Sequence, residues 1–187
     1  MIGRVRVRRA AGGVRVGWCR VDAGLTRRAV ADALIARIAG GTGAIARSCP
    51  RCGSTTHGRP VAEAAGVHAS VSYADGWVLV AVGDAGRVDA VGVDAEPRSR
   101  ARGAALHGVI TPGRRTSLRR WTRVEAVLKA DGRGLSVDPA RVRISRGVRG
   151  VVARISEPDA AESDGIPYRV RRVRGPRGLV VSLAIRS

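Results

Sequence analysis

Phenylalanine is absent from this 187-residue chain, and Trp and Tyr bring the aromatic share to only 3 %. Platforms for stacking on nucleic-acid bases are therefore few. Lysine is nearly absent too: of the 34 basic residues one, Lys129, is lysine and the rest are arginine. No apolar run approaches the roughly 20 residues that span a bilayer, so no transmembrane helix is expected. The N-terminus, MIGRVRVRRAAGGVRVGW, interleaves Arg with Val and has no continuous apolar stretch, so no secretory leader is expected. The three cysteines are an odd number, which argues against a disulfide framework and for a reducing cytoplasm. Acidic residues are also scarce, 15 in all, and the formal net charge is +19.

What is present describes a folded chain. Apolar residues make up 44 % and charged residues 26 %, a balance typical of a globular protein and unlike that of a disordered one. The length suits one domain or two small ones. A field this positive attracts polyanions, whether nucleic acid, nucleotide phosphates or an acidic protein.

Val5 to Val21 alternates Arg with small apolar residues and predicts one or two strands broken at Gly12-Gly13. Asp22 or Thr26 can cap a helix through AVADALIARIAG, with Val30, Leu34, Ile35 and Ile38 at helical spacing and Gly40-Gly41 beyond it. Residues 40–60 read as a loop. HASVSY and WVLVAV, separated by Asp75-Gly76, predict a hairpin, and a further strand is expected over Val88 to Glu96, stopped by Pro97. Residues 97–117 read as irregular, and a helix is expected from Ser117 to Ala130. Strand-like runs follow at 142–145, 150–155, 168–173 and 179–185, with a loop of Pro158, Asp159, Glu162, Asp164 and Gly165 before the third. The segments SYADGWVLVAV (72–82) and RGPRGLVVSLAI (174–185) share a rhythm that hints at internal duplication. The class expected is α+β.

Three features bear on chemistry. In VGVDAEP, strand alternation places Gly92, Asp94 and Glu96 on one face and Val91, Val93 and Ala95 on the other. Two carboxylates side by side suit a shared cation, although a half-exposed strand with two solvated acids also accounts for them. In WTRVEAVLK, Trp121, Glu125 and Lys129 recur every four residues along one helical face. An exposed Glu–Lys pair beside a packed Trp is the ordinary explanation. Against it, Lys129 is a lone lysine in an arginine-using chain, and a compact ammonium is not interchangeable with a guanidinium. Glu125 also supplies the third carboxylate that a hard-cation site such as Mg²⁺ needs. Third, HGRP (57–60) sets Arg59 beside a rigid Pro, upstream of the hydroxyls of Ser70, Ser72 and Tyr73. Cys49-x-x-Cys52 with His57 also fits zinc if Cys19 or His68 adds a fourth ligand, but structural or incidental cysteines are the expected reading.

Taken in this order, HGRP, SVSYADG, GVDAEP and WTRVEAVLKADGRGL resemble the Sfp-type 4′-phosphopantetheinyl transferases. The resemblance covers roughly residues 26–135. It implies a pseudo-dimer of two similar α+β halves, residues 1–87 and 88–187, meeting near residues 84–92. It implies transfer of the 4′-phosphopantetheine moiety of coenzyme A to a serine of an acidic acyl or peptidyl carrier protein, by a monomer acting in the cytoplasm. By this resemblance Asp94, Glu96 and Glu125 match the Mg²⁺ ligands, and Lys129 matches the lysine that meets the coenzyme A pyrophosphate. Glu125 also matches the base acting on the acceptor serine, Arg59 the residue that contacts coenzyme A phosphate, and Ser72 the serine of a Ser-His pair. Tyr73 stands where the family has that His, and Val124 where it has a Lys. Two other readings stay open on the residues. One is a non-catalytic nucleic-acid-binding protein, favoured by the charge but lacking aromatics and any helix-turn-helix, zinc-finger or cold-shock signature. The other is a degenerate transferase that binds coenzyme A without turnover, motivated by Tyr73 and Val124.

Overall fold

A computed structural model of the chain describes residues 2–41, 45–49, 52–62, 66–148, 150–156 and 165–187. The acidic residues expected in the loop before the third late strand, Asp159, Glu162 and Asp164, lie outside them.

The local signals in the sequence act as capping and turn chemistry predicts. Thr26 caps helix α1 (Arg27–Ala39) by accepting a hydrogen bond from the Ala29 N–H, and the helix ends at Gly40 in the left-handed region. Ser117 caps helix α3 (Leu118–Asp131) through the Arg120 N–H in the same way. Strands β5 (Val67–Ala74) and β6 (Trp77–Asp84) are joined by Asp75-Gly76, both with positive φ, a turn whose twist matches that of paired strands.

The remaining elements are β1 (Arg6–Arg9), β2 (Arg15–Arg20), β3 (Ala46–Ser48), β4 (Arg59–Val61), β7 (Ala90–Pro97), the short helix α2 (Arg100–Ala105), β8 (Val142–Gly147), β9 (Gly150–Ile155), β10 (Tyr168–Arg172) and β11 (Leu179–Arg186). Two antiparallel sheets result, ordered β1-β2-β6-β5 and β7-β11-β10-β9-β8, with β3 and β4 forming a separate pair. The chain is thus a mixed α+β protein. Three expectations shift in detail. The 40–60 loop contains β3 and β4, and the segment 97–117 contains α2, capped by Ser99. Pro97, expected to stop its strand, is the last residue of β7 and pairs with Leu179. It does so at a strand end, where proline is tolerated.

Alternation along the strands builds the layers. Leu79 and Ala81 of β6, with Val14 before β2 and Val16 and Trp18 on it, pack against Val91, Val93 and Ala95 of β7 and Leu179, Val181, Leu183 and Ile185 of β11. The opposite face of the first sheet, with Val78, Val80 and Val82, is covered by Val30, Leu34, Ile35 and Ile38 of α1. The opposite face of the second is covered by Trp121, Val124, Val127 and Leu128 of α3. The order is therefore helix, sheet, sheet, helix. Within it, β2-β6-β5 and β7-β11-β10 run in the same sequence of strand, helix and returning hairpin.

The β5 and β7 edges are tied by side chains. Ser70 Oγ accepts from the Val93 N–H and Ser72 Oγ from the Ala95 N–H, each at 3.1 Å. Two serines two residues apart, both 4 % exposed or less, thus join one sheet to the edge of the other.

Candidate active site

β7 turns Gly92, Asp94 and Glu96 toward α3, as strand alternation requires. Gly92 is the contact point. A Cβ there would overlap the Ala126 carbonyl oxygen and the Ala130 nitrogen, so glycine lets the α3 backbone lie directly on β7. That close approach sets Glu125 and Lys129 beside the carboxylates of β7.

Asp94 is 5 % exposed. Its Oδ1 accepts from Lys129 Nζ at 2.7 Å and from Ser72 Oγ at 3.2 Å. Its Oδ2 is buried with no hydrogen-bond partner. A buried, unpartnered carboxylate oxygen is costly unless a cation or donor satisfies it. Glu125 is half-buried, and its carboxyl is pushed above the usual carboxylate range. Burial is the main cause and the Asp94 and Glu96 charges add to it, while Lys129 and Arg102 oppose it. Glu96 is engaged differently. Arg102 of α2 grips both of its oxygens, and Trp121 Nε1 donates to Oε1 at 3.1 Å.

These contacts decide how a divalent cation fits. Asp94 and Glu125 are poised for one, through the orphaned Oδ2 and through a Glu125 charge that burial first and Asp94 second disfavour. Glu96 would join only by loosening Arg102. Among the described residues, the group Cys49, Cys52 and His57 brings one ligand atom each within 4.8 Å of one another. Neither Cys19 nor His68, named from the sequence as possible fourth ligands, belongs to it.

Lys129 joins the acidic group to a cavity of about 680 Å³, lined also by Arg47, Arg59, Ser70, Tyr73 and Arg133. The basic residues and Tyr73 give it the character of an anion site with a hydroxyl on one wall. Arg59, Tyr73 and Lys129, three of the residues expected to meet coenzyme A, thus share one cavity. Ser72 is not among its lining residues; its hydroxyl faces β7 and Asp94. Val124 is wholly buried in the core beneath α3. Arg102 and Arg133 were not legible as site residues, because in an arginine-rich chain no spacing marks them out. The Ser70-x-Ser72 alternation was the available signal for the ties between sheets. A smaller cavity of about 270 Å³, lined by His68, Asp131 and Arg186, shares Arg59 and Lys129 with the first.

The sequence matches no model of a known protein family, and no curated protein matches it significantly.

Proposed function

We propose that this chain is a 4′-phosphopantetheinyl transferase, which moves the 4′-phosphopantetheine moiety of coenzyme A onto a serine of an acyl or peptidyl carrier protein and releases 3′,5′-ADP. One observation carries the reading: Lys129, bonded to Asp94 at 2.7 Å, also lines the cavity that holds Arg59. A single ammonium thus stands between a carboxylate group and a pocket large enough and basic enough for a phosphorylated ligand. The shared order of β2-β6-β5 and β7-β11-β10 supports a pseudo-dimer of two related halves divided between β6 and β7.

Arg59 and Arg133 bind phosphate in the cavity as charge-assisted donors. Asp94 Oδ2 and the Glu125 carboxylate are the residues that would hold Mg²⁺, with Glu96 joining if Arg102 yields. When bound, the metal neutralises pyrophosphate charge and polarises the phosphoryl group under attack. The carrier hydroxyl forms the new bond to the β-phosphorus as the bond to the 3′,5′-ADP oxygen breaks. Glu125 is the group that would take the serine proton. Lys129 stabilises charge on the departing 3′,5′-ADP.

The test is the mass of an apo carrier protein incubated with the chain, coenzyme A and Mg²⁺. A phosphopantetheine mass gain that is lost in Asp94→Ala, with the circular-dichroism spectrum unchanged, supports the reading. Coenzyme A binding without mass gain on any of several carriers would favour a degenerate transferase instead. A thermal shift with DNA but none with coenzyme A would favour the nucleic-acid reading.

A further inference from the structure

The connection between β3 and β4, residues 49–58, carries Cys49, Cys52 and His57. Its two strands are three residues each, Ala46–Ser48 paired with Arg59–Val61. A two-stranded ribbon this short is marginal in water, and a connection as long as 49–58 adds the entropy of loop closure. Yet one ligand atom from each of the three residues lies within 4.8 Å of the others, and Cys52 Sγ sits 3.3 Å from His57 Nε2. Tetrahedral zinc with bonds of about 2.3 Å to sulfur and about 2.0 Å to nitrogen places those two atoms roughly 3.5 Å apart. The backbone is already folded around such a centre. The Cys49 N–H donates to the Ser54 carbonyl at 3.0 Å, and the Gly53 N–H to the Cys49 carbonyl at 2.9 Å. Gly58, between His57 and Arg59, admits no Cβ without overlap on the Ser48 backbone, so the loop closes tightly onto its own start.

We infer that Cys49, Cys52 and His57 bind one Zn²⁺, with water in the fourth position, and that this metal fixes the loop from which Arg59 enters the large cavity. Two thiolates and a neutral imidazole are the donor set that zinc prefers over the oxygen-seeking Mg²⁺. The centre is electrically neutral, since two thiolates balance the metal, so it forms in a chain of net charge +19 without adding to self-repulsion. Arg47 and Arg59 line the same cavity as Cys49. Cys52 and His57 are exposed, which leaves the fourth position open to solvent. Cys49 and Gly58 themselves line the cavity, beside Arg59.

The experiment uses the full chain, expressed in zinc-supplemented medium and purified under reducing conditions. Elemental analysis is expected to find about one zinc per chain. Cys52→Ser and His57→Ala should each bring zinc to background, while Cys19→Ala, which changes a cysteine buried beside α1, should keep it. Replacing the zinc by cobalt should give the strong visible bands of a tetrahedral site and thiolate charge-transfer absorption in the near ultraviolet, both lost in Cys52→Ser. Should the ligand variants misfold, the cobalt spectrum of the unaltered chain still decides the matter. A folded chain that binds neither metal overturns the inference, as does zinc retained in both ligand variants. So does a Cys49–Cys52 disulfide formed in preference to metal under these reducing conditions. None of these measurements needs coenzyme A or a carrier protein, so a failure of the transferase reading leaves the zinc site standing, and the reverse.

Discussion

At the scale of single residues, the tension in the site sits on Glu125. Its carboxyl binds a proton more tightly in the folded chain than in the unfolded one, chiefly because burial disfavours the charge and then because Asp94 and Glu96 lie near. Between the ordinary glutamate range and the raised value, the native state therefore holds more protons, and stability falls as pH rises through that window. Glu125→Gln removes the ionisation and keeps the shape. Its thermal midpoint should exceed that of the unaltered chain at neutral pH, and the difference should vanish in acid, where both forms are uncharged. Melting curves from pH 4 to 8 check this, and an advantage independent of pH would show that the charge is not the cause. The same variant should lose the proposed transfer activity, so that stability and activity move in opposite directions.

At the scale of elements, β7 and α3 form one device. Strand alternation and helical spacing each arrange two of the acidic and basic groups, but their meeting depends on Gly92. Gly92→Ala pushes a methyl into the Ala126 carbonyl and the Ala130 nitrogen, so α3 must shift away from β7. Overpacking of this kind costs about 1–3 kcal/mol. Because the shift separates Lys129 and Glu125 from Asp94, transfer activity should fall by more than the loss of folded protein explains. Denaturant titration beside initial rates on the folded fraction separates the two effects. The loop 97–117, expected to be irregular, contributes Arg102 through the short helix α2. No periodicity could reveal this, because a six-residue helix carries too little pattern to stand out.

At the scale of the whole molecule, two sheets pack face to face between two helices, and the candidate site lies where β5 meets β7. Its parts come from both sheets: Ser72 from the first, Asp94 from the second, Lys129 from the helix covering the second and Arg59 from the β3–β4 pair. The net charge of +19 is spread over outward faces, such as the exposed Arg6, Arg8 and Arg9 of β1 and Arg169, Arg171 and Arg172 of β10. If the acceptor is an acidic carrier protein, that field steers encounter. The association rate, followed by stopped-flow fluorescence, should fall about tenfold or more as the screening length drops from about 30 Å to about 10 Å between about 0.01 and 0.1 M salt. A rate flat across that range would assign the charge another purpose. Among the described residues no helix is long and apolar enough to cross a membrane.

Features that depend on neighbours along the chain are legible in the residues alone. Thr26 and Ser117 cap the two long helices, Asp75-Gly76 turns the hairpin, and period-two alternation sends Asp94 and Glu96 to the same side. Each of these follows from backbone geometry within a few residues. Which groups meet across the fold is settled by packing. It pairs Lys129 with Asp94, gives Glu96 to Arg102 and Trp121, turns Ser72 into a tie between sheets, and closes Cys49, Cys52 and His57 into one cluster. A spacing fixes the direction in which a side chain leaves the backbone. What waits in that direction is set by the packing of elements distant in sequence, and in a chain with arginine on nearly every surface many partners satisfy the same local pattern.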